Sequence, residues 1–109
     1  IVGPARAREM LITARQIPAA EALAIGLVNK VVPVAELDAA ADELLGTIGG
    51  NAPLTMACAK HIILEVLKSP KEFDLASCTT QVKTCFDSAD YKEGRTAFME
   101  KRKPVFHGR

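Results

Sequence analysis

The sequence contains no tryptophan, one tyrosine and four phenylalanines, so aromatic residues make up only 5% of its 109 positions. Its formal net charge is +1, which argues against a dedicated nucleic-acid-binding protein, because such proteins are usually clearly basic. No apolar run approaches the roughly 20 residues that a transmembrane helix needs. The sequence therefore predicts neither a nucleic-acid partner nor a membrane partner, and its balance of apolar and charged residues is that of a soluble globular protein.

Cysteine and histidine are also scarce, with three and two copies respectively. The odd number of cysteines predicts reduced thiols and an intracellular protein. Cys78 and Cys85 lie in one predicted helix with their Cα atoms roughly 10 Å apart, whereas a disulfide needs less than about 7 Å. We therefore expect the cysteines to be small buried side chains. Without close Cys/His spacing, no metal site is predicted.

The sequence gives no evident catalytic constellation. His61 is predicted to lie on a solvated helix face beside Glu65, and His107 falls in a terminal tail that we expect to be mobile. There is no glycine-rich phosphate loop. Asp87, Asp90 and Glu93 cluster at a predicted helix start, where carboxylates offset the helix dipole. No residue is therefore predicted to be catalytic.

Proline, glycine and apolar periodicity predict an all-α chain, a small orthogonal bundle of about six helices with one short extended segment. The helices are expected to begin at about Pro4, Pro18, Val34, Pro53, Pro70 and Ser88, and the last is expected to run to about Arg102. Leu27–Val32 is predicted to be a short strand or an extended connector. Because a lone strand is not stable by itself, it either pairs outside this chain or is only extended.

Two local predictions concern the fourth and fifth helices. The fourth has a narrow polar stripe, so we expect it to be buried on most of its circumference, either between layers or against a partner. Ser69–Glu72 has the pattern of a capping box with proline at the first helical position, which predicts that the fifth helix begins there.

The segment GPARAREMLITARQIPAAEALAIGLVNKVVP resembles the enoyl-CoA hydratase/isomerase (crotonase) superfamily, whose members carry G-x-x-x-A-x-E-x-x-x-T-G-x-x-I-x-A-x-E-A-x-x-x-G-L-V-x-x-V-x-P. The matching residues are Gly3, Ala7, Glu9, Thr13, Ile17, Ala19, Glu21, Ala22, Gly26, Leu27, Val28, Val32 and Pro33. Ala14 departs from the glycine of many members, in a turn.

The end of the chain is similar to the pattern S-x-D-x-x-E-G-x-x-A-F-x-E-K-R-x-P-x-F-x-G, with which many members of the same family close. The matching residues are Ser88, Asp90, Glu93, Gly94, Ala97, Phe98, Glu100, Lys101, Arg102, Pro104, Phe106 and Gly108. The two motifs in register extend the resemblance from Val2 to Gly108.

The resemblance implies that residues 1–109 form the C-terminal helical domain of a crotonase-like enzyme, without the N-terminal β-β-α spiral core. In the family, that core carries the oxyanion-hole amides and the catalytic glutamates. The motifs that carry them are not found here, so no catalytic residue is assigned and we expect the chain alone to be inactive. The strand-like Leu27–Val32 is then expected to lie against the missing core.

The family chemistry implied is a lyase reaction that adds water across the double bond of a 2-enoyl-CoA thioester. Coenzyme A enters as part of the substrate, and no permanently bound cofactor is expected. The resemblance assigns Phe98 and Lys101 to the adenine and phosphate end of CoA, often across a subunit boundary. It also implies a homo-oligomer, a trimer or hexamer for the whole enzyme and a dimer or larger for this chain, located in the cytoplasm or, in a eukaryote, the mitochondrial matrix.

Other functions remain open at this point. A non-enzymatic helical assembly module fits the composition equally well, and a small acyl-CoA-binding bundle would need an interior basic site. Within the superfamily, enoyl-CoA isomerases, decarboxylases and thioester hydrolases share the C-terminal pattern. Neither the reaction nor the acyl chain of the substrate can be chosen from these residues.

Overall fold

The computed structural model describes all of residues 1–109 and is helical throughout. Its six α-helices and one 3₁₀ helix are α1 (Gly3–Thr13), α2 (Ala19–Ala24), the 3₁₀ helix (Val34–Glu36), α3 (Leu37–Gly49), α4 (Pro53–Val66), α5 (Leu75–Asp87) and α6 (Ala89–Met99). The prediction of an all-α chain with about six helices is confirmed. None of the helices combines the length and apolar character that crossing a lipid bilayer requires.

The chain divides into two compact units, Ile1–Glu43 and Leu44–Arg109. In the first unit, Gly26 follows the end of α2 with φ +74°. Its amide donates to the carbonyl of Leu23 at 3.1 Å, and the next amide donates to the carbonyl of Ala22 at 2.9 Å. This is the Schellman arrangement, which glycine favours because it has no Cβ to clash.

Of the two alternatives predicted for Leu27–Val32, a short strand or an extended connector, no strand forms within this chain. The amides of Leu27 and Val28 both donate to the carbonyl of Ala22, at 2.9 and 3.3 Å, so the segment begins as a turn that ends α2. Residues 30–33 have no regular secondary structure. No neighbouring strand offers ladder hydrogen bonds, and the segment is therefore a connector.

Ala14 ends α1 in the left-handed region, with φ 48° and ψ 26°. This conformation costs a residue with a Cβ roughly 1–2 kcal/mol, whereas glycine adopts it freely. The departure from the family pattern at this position therefore carries a backbone penalty.

We expect Ala14→Gly to stabilise the chain by about 0.5–1 kcal/mol, since relief of the left-handed strain exceeds the extra entropy that glycine loses on folding. Ala7→Gly, inside α1, is the matched control and should destabilise by about 1 kcal/mol. Urea unfolding of the three chains measures both effects, and a loss of stability in Ala14→Gly would contradict the expectation.

In the second unit, α4 packs against α5, and α5 packs against α6. Its buried apolar side chains are small, namely Cys58, Cys78 and Ala97. All three cysteines are free thiols, with Cys58 and Cys78 buried and Cys85 half-buried, which confirms the expectation of small buried side chains for the first two.

Helix α5 begins later than the Ser69–Glu72 pattern predicts. Asp74 is the N-cap, and its carboxylate accepts a hydrogen bond from the Ser77 amide at 2.8 Å. The Ser69 hydroxyl instead donates to the Glu72 carboxylate at 2.6 Å within a separate turn. The cause is the buried Glu65 of α4, whose carboxylate accepts from the Asp74 amide at 3.1 Å and so fixes the start of α5.

Helix α4 is not buried between layers of this chain, and its predicted burial against a partner stays a prediction. Only Cys58 and Glu65 are buried on it, because α5 covers one side alone. Large apolar side chains on the rest of this helix and its end are exposed, namely Ile63, Leu64, Val66 and Leu67. The chain by itself therefore leaves an apolar α4 surface, defined by these four residues, in contact with solvent.

Candidate functional site

The candidate site is a groove between α6, the start of α4 and the C-terminal tail. Its volume is about 460 Å³, within the usual range for small-molecule sites. The lining residues are Ala52, Thr55, Asp90, Tyr91, Gly94, Arg95, Phe98, Met99 and Phe106. Three of these nine are aromatic, in a chain that has only five aromatic side chains in all.

One face of α6 forms the floor of the groove, because Tyr91, Gly94 and Phe98 recur at helical spacing. The Tyr91 ring is held in an edge contact with Phe86, with ring centroids 4.8 Å apart. The Arg95 guanidinium lies 5.9 Å from the centroid of Tyr91. Phe98 is 81% exposed, so its ring is available to a ligand. The groove therefore offers aromatic faces with a cation beside them.

Gly94 faces the Phe106 ring. A Cβ added at Gly94 would lie 3.5 Å from Cε1 and 3.7 Å from Cζ of Phe106. These are ordinary contact distances, so a methyl group would fit but would fill part of the space between the ring and α6. Glycine costs the helix about 1 kcal/mol relative to alanine and keeps this side of the groove open.

The C-terminal tail is pinned to α6, so the expected mobility around His107 is wrong. The Asp90 carboxylate, which is only 3% exposed, accepts from the His107 and Gly108 amides at 2.7 Å each. In return, the Arg109 carbonyl accepts from the Ala89 amide at 2.8 Å. Asp90 thus satisfies tail amides in addition to lying at a helix start.

Glu93 provides a second attachment. Its carboxylate accepts from the Arg102 guanidinium at 2.6 and 2.9 Å and from the Val105 amide at 2.9 Å. The Arg102 guanidinium, with help from the Val105 amide, lowers the pKa of Glu93 to about 2. The only sequence signal for this role was two acidic residues one turn apart before a basic tail, and that signal was assigned to the helix dipole alone.

Lys101 does not lie on the helix, because α6 ends at Met99. Lys101 has φ 55°, and its amide donates to the Phe98 carbonyl at 3.3 Å. The next amide donates to the Ala97 carbonyl at 3.0 Å, which completes a Schellman motif with lysine in the position that glycine prefers. The predicted end of the last helix at about Arg102 is therefore wrong, and Lys101 is not among the residues that line the groove.

The Lys101 ammonium has no ion-pair or hydrogen-bond partner in the chain. Its left-handed backbone costs roughly 1–2 kcal/mol, and backbone strain of this kind is concentrated at functional positions. Phe98 thus lines the groove near the end of α6, and Lys101 lies just past the helix. The charge of Lys101 is free to bind an external anion.

His61 is half-buried and bonded, contrary to the solvated face that was predicted. Its Nε2 lies 2.7 Å from the Ser77 hydroxyl, which links α4 to α5. The Glu65 carboxylate is already engaged by the Lys68 ammonium and the Asp74 amide, so it does not complete a nucleophilic triad with this pair. No group of three or more His, Cys, Asp or Glu side chains is placed to hold a metal ion.

Comparison with known proteins gives a consistent result over the whole chain. The family model for enoyl-CoA hydratase/isomerase matches residues 1–109. The short-chain-enoyl-CoA hydratase of Clostridium acetobutylicum is 40% identical over 103 residues, which are 94% of this chain and 40% of that protein. The carnitinyl-CoA dehydratase of Escherichia coli O157:H7 is 39% identical over 113 residues, covering 100% of this chain and 43% of that protein.

Solved structures agree with the sequence comparison. The crystal structure of enoyl-CoA hydratase from Mycobacterium tuberculosis H37Rv superimposes with a TM-score of 0.86 at 35% identity, covering 96% of this chain and 42% of that chain. This chain thus spans about two fifths of the length of the relatives it matches. The match of the family model along the full chain shows that it belongs to the enoyl-CoA hydratase/isomerase family.

Proposed function

We propose that residues 1–109 are the C-terminal helical domain of an enoyl-CoA hydratase-like lyase, where they cover the CoA part of the substrate and contribute to oligomerisation. The observation that carries this proposal is the groove on α6, with its aromatic lining and adjacent cations. A domain of this kind accounts for a chain that matches only about two fifths of a hydratase.

The groove suits the nucleotide end of coenzyme A. Phe98 offers an exposed ring against which adenine can stack or pack. Lys101 offers an unpaired ammonium, and Arg95 offers a guanidinium, and both kinds of cation bind phosphate. These groups bind and orient the nucleotide, while the reacting carbons of the acyl chain lie at the other end of the CoA molecule.

The reaction proposed for the whole enzyme is the addition of water to a 2-enoyl-CoA thioester. Such a reaction needs carboxylates that move protons and donors that stabilise the thioester oxyanion. The groove's one carboxylate, that of Asp90, already accepts two backbone hydrogen bonds. We therefore assign binding to this chain and proton transfer to residues outside it, with the CoA thioester as substrate and no further cofactor.

The match does not choose one reaction within the family. The named relatives include both a short-chain-enoyl-CoA hydratase and a carnitinyl-CoA dehydratase at almost equal identity. Hydration is proposed because another relative is named crotonyl-CoA hydratase. Hydration is tested against four alternatives: enoyl-CoA isomerisation, decarboxylation, thioester hydrolysis and a purely structural helical module.

The test is to express the uninterrupted gene that encodes this chain and to assay its whole product with crotonyl-CoA. We expect the enoyl absorbance to fall as a 3-hydroxyacyl-CoA forms with one oxygen atom derived from labelled water. A gene product with no residues beyond these 109, or one that converts no enoyl-CoA, would contradict the proposal. Isomerisation or release of free CoA without hydration would select one of the other family reactions.

Self-association is expected from the apolar α4 surface formed by Ile63, Leu64, Val66 and Leu67, since large exposed apolar patches mark interaction sites. Sedimentation of the 109-residue chain should show a dimer or larger at high micromolar concentration. Leu67→Lys should shift the chain toward the monomer, whereas Val105→Lys, at an exposed position in the tail, should not. A monomeric wild-type chain at that concentration would rule out the predicted assembly.

A further inference from the structure

Two carboxylates one turn apart on α6 together hold the tail that follows the helix. The Glu93 carboxylate accepts hydrogen bonds from the Arg102 guanidinium and the Val105 amide. The Asp90 carboxylate accepts hydrogen bonds from the His107 and Gly108 amides, one on each oxygen. The two attachment points therefore lie on either side of Phe106 in the sequence.

Phe106 is fixed by this arrangement against α6. Its ring lies over Gly94, at the contact distance of an added Cβ, and it lines the same groove as Tyr91 and Phe98. Val105, the residue before it, is 60% exposed, so the apolar packing of the neighbouring tail is weak. The hydrogen bonds to Asp90 and Glu93 are the side-chain contacts that hold the tail on both sides of the ring, and the Arg109 carbonyl, which accepts from the Ala89 amide, adds a backbone contact at the end of the chain.

The chemistry of Asp90 suits this task better than that of any neutral side chain. An ionised carboxylate offers acceptors on both oxygens, whereas an amide offers one acceptor oxygen and turns an NH₂ donor toward the second backbone amide. Charge-assisted hydrogen bonds of this kind are roughly twice as strong as neutral ones. Replacing Asp90 by asparagine therefore removes the paired attachment with little change in volume.

We propose that Asp90 and Glu93 are positioning residues that hold the C-terminal tail on α6, so that Phe106 forms one wall of the groove. With this wall in place, the groove closes around a ligand that carries a planar aromatic ring and an anionic group. The identity of that ligand as the adenine nucleotide end of CoA rests on the proposed function, whereas the placement of Phe106 does not.

The first measurement uses NMR on the 109-residue chain without ligand. In Asp90→Asn we expect hydrogen exchange at the His107 and Gly108 amides to accelerate by at least about tenfold, and the nuclear Overhauser contacts between the Phe106 ring and Gly94 to disappear. Glu93→Gln is expected to produce the same changes at Val105 in milder form. Asp87→Asn, at an exposed carboxylate in the last turn of α5 with no bonded partner, is the matched control and should change none of these.

The second measurement is the affinity of the chain for adenosine 3′,5′-bisphosphate, used as the probe. Asp90→Asn and Phe106→Ala should each raise its Kd by at least about threefold, because each variant loses one partly exposed aromatic contact to the probe. The double variant should bind no more weakly than Phe106→Ala alone, because a residue that acts only through Phe106 gives non-additive effects. A merely structural role for Asp90 would give additive losses instead.

The outcomes separate the two proposals. Unchanged Phe106–Gly94 contacts and unchanged tail exchange in both Asp90→Asn and Glu93→Gln would overturn the positioning role, whatever the affinity. If the wild-type chain binds no adenosine 3′,5′-bisphosphate at millimolar concentration, the nucleotide assignment and the closing of the groove around it are wrong. If Asp90→Asn does not fold, Glu93→Gln and its Val105 exchange decide the positioning role.

Discussion

The 109-residue chain alone is expected to hydrate crotonyl-CoA no faster than the uncatalysed reaction. Enzymes commonly accelerate reactions by about 10⁶-fold or more, so the predicted loss relative to the whole gene product is very large. The physical reason is that the groove contains no free acid/base pair. Its single carboxylate, that of Asp90, is buried and holds two tail amides.

The remaining histidines do not supply the missing chemistry. His61 is bonded to Ser77, and the backbone of His107 is held by Asp90. Loss of the enoyl absorbance should be followed with the purified chain over several hours, with the whole gene product as the positive control. Turnover that exceeds the buffer rate and disappears in Asp90→Asn would show that a catalytic group has been overlooked.

The second large effect is expected in the whole gene product. Phe98→Ala and Lys101→Ala should each raise KM for an enoyl-CoA by about tenfold, with kcat changed by less than about twofold, because contacts far from the reacting carbons contribute binding that is equal in the ground state and the transition state. Steady-state kinetics with crotonyl-CoA measure both constants.

Lys101 allows a sharper control because its backbone is left-handed. Lys101→Gly removes the charge and relieves the backbone strain, so it should stabilise the fold by about 1 kcal/mol while raising KM as much as alanine does. Lys101→Arg keeps the cation and should retain most of the affinity. An unchanged KM in Phe98→Ala and Lys101→Ala, with normal folding, would mean that the end of α6 has only a structural role.

The number and type of helices could be predicted from the sequence because the residues that begin and end them act locally. Proline at the starts of α1 and α4, and Gly26 after α2, act through backbone geometry that does not depend on distant residues. The same is true of Ser88, whose hydroxyl accepts from the Tyr91 amide at 3.0 Å at the start of α6.

The errors arose where a distant side chain decides the local structure. Glu65 of α4 binds the Asp74 amide and moves the start of α5, although Ser69–Glu72 has a strong local pattern. Glu93 binds Arg102, and the tail folds back onto α6, so the helix ends before the charged residues that sequence periodicity would have continued. Spacing alone could not reveal these contacts, because they join residues nine positions apart.

The candidate site was predicted in part. The resemblance singled out Phe98 and Lys101, and the structure shows an exposed ring and an unpaired ammonium at the end of α6, but their CoA role stays a prediction. Spacing did not reveal the groove that Phe106 forms with Gly94, because this groove depends on the position of the tail in three dimensions. Asp90 was missed as a tail ligand because its partners are backbone amides, which leave no mark in side-chain patterns.

Titration of coenzyme A into the isotopically labelled 109-residue chain, followed by amide and aromatic NMR shifts, tests the central claim most directly. Under the proposed function most contacts to CoA lie outside this chain, so binding is expected to be weak, but NMR detects millimolar affinity. We predict that the shifted signals will cluster on Tyr91, Gly94, Phe98, Lys101 and Phe106. Shifts centred on Arg15 of the first unit, which forms ion pairs with Glu9 and Glu21, would contradict the assignment of the groove to CoA. The absence of shifts at millimolar CoA would contradict it as well.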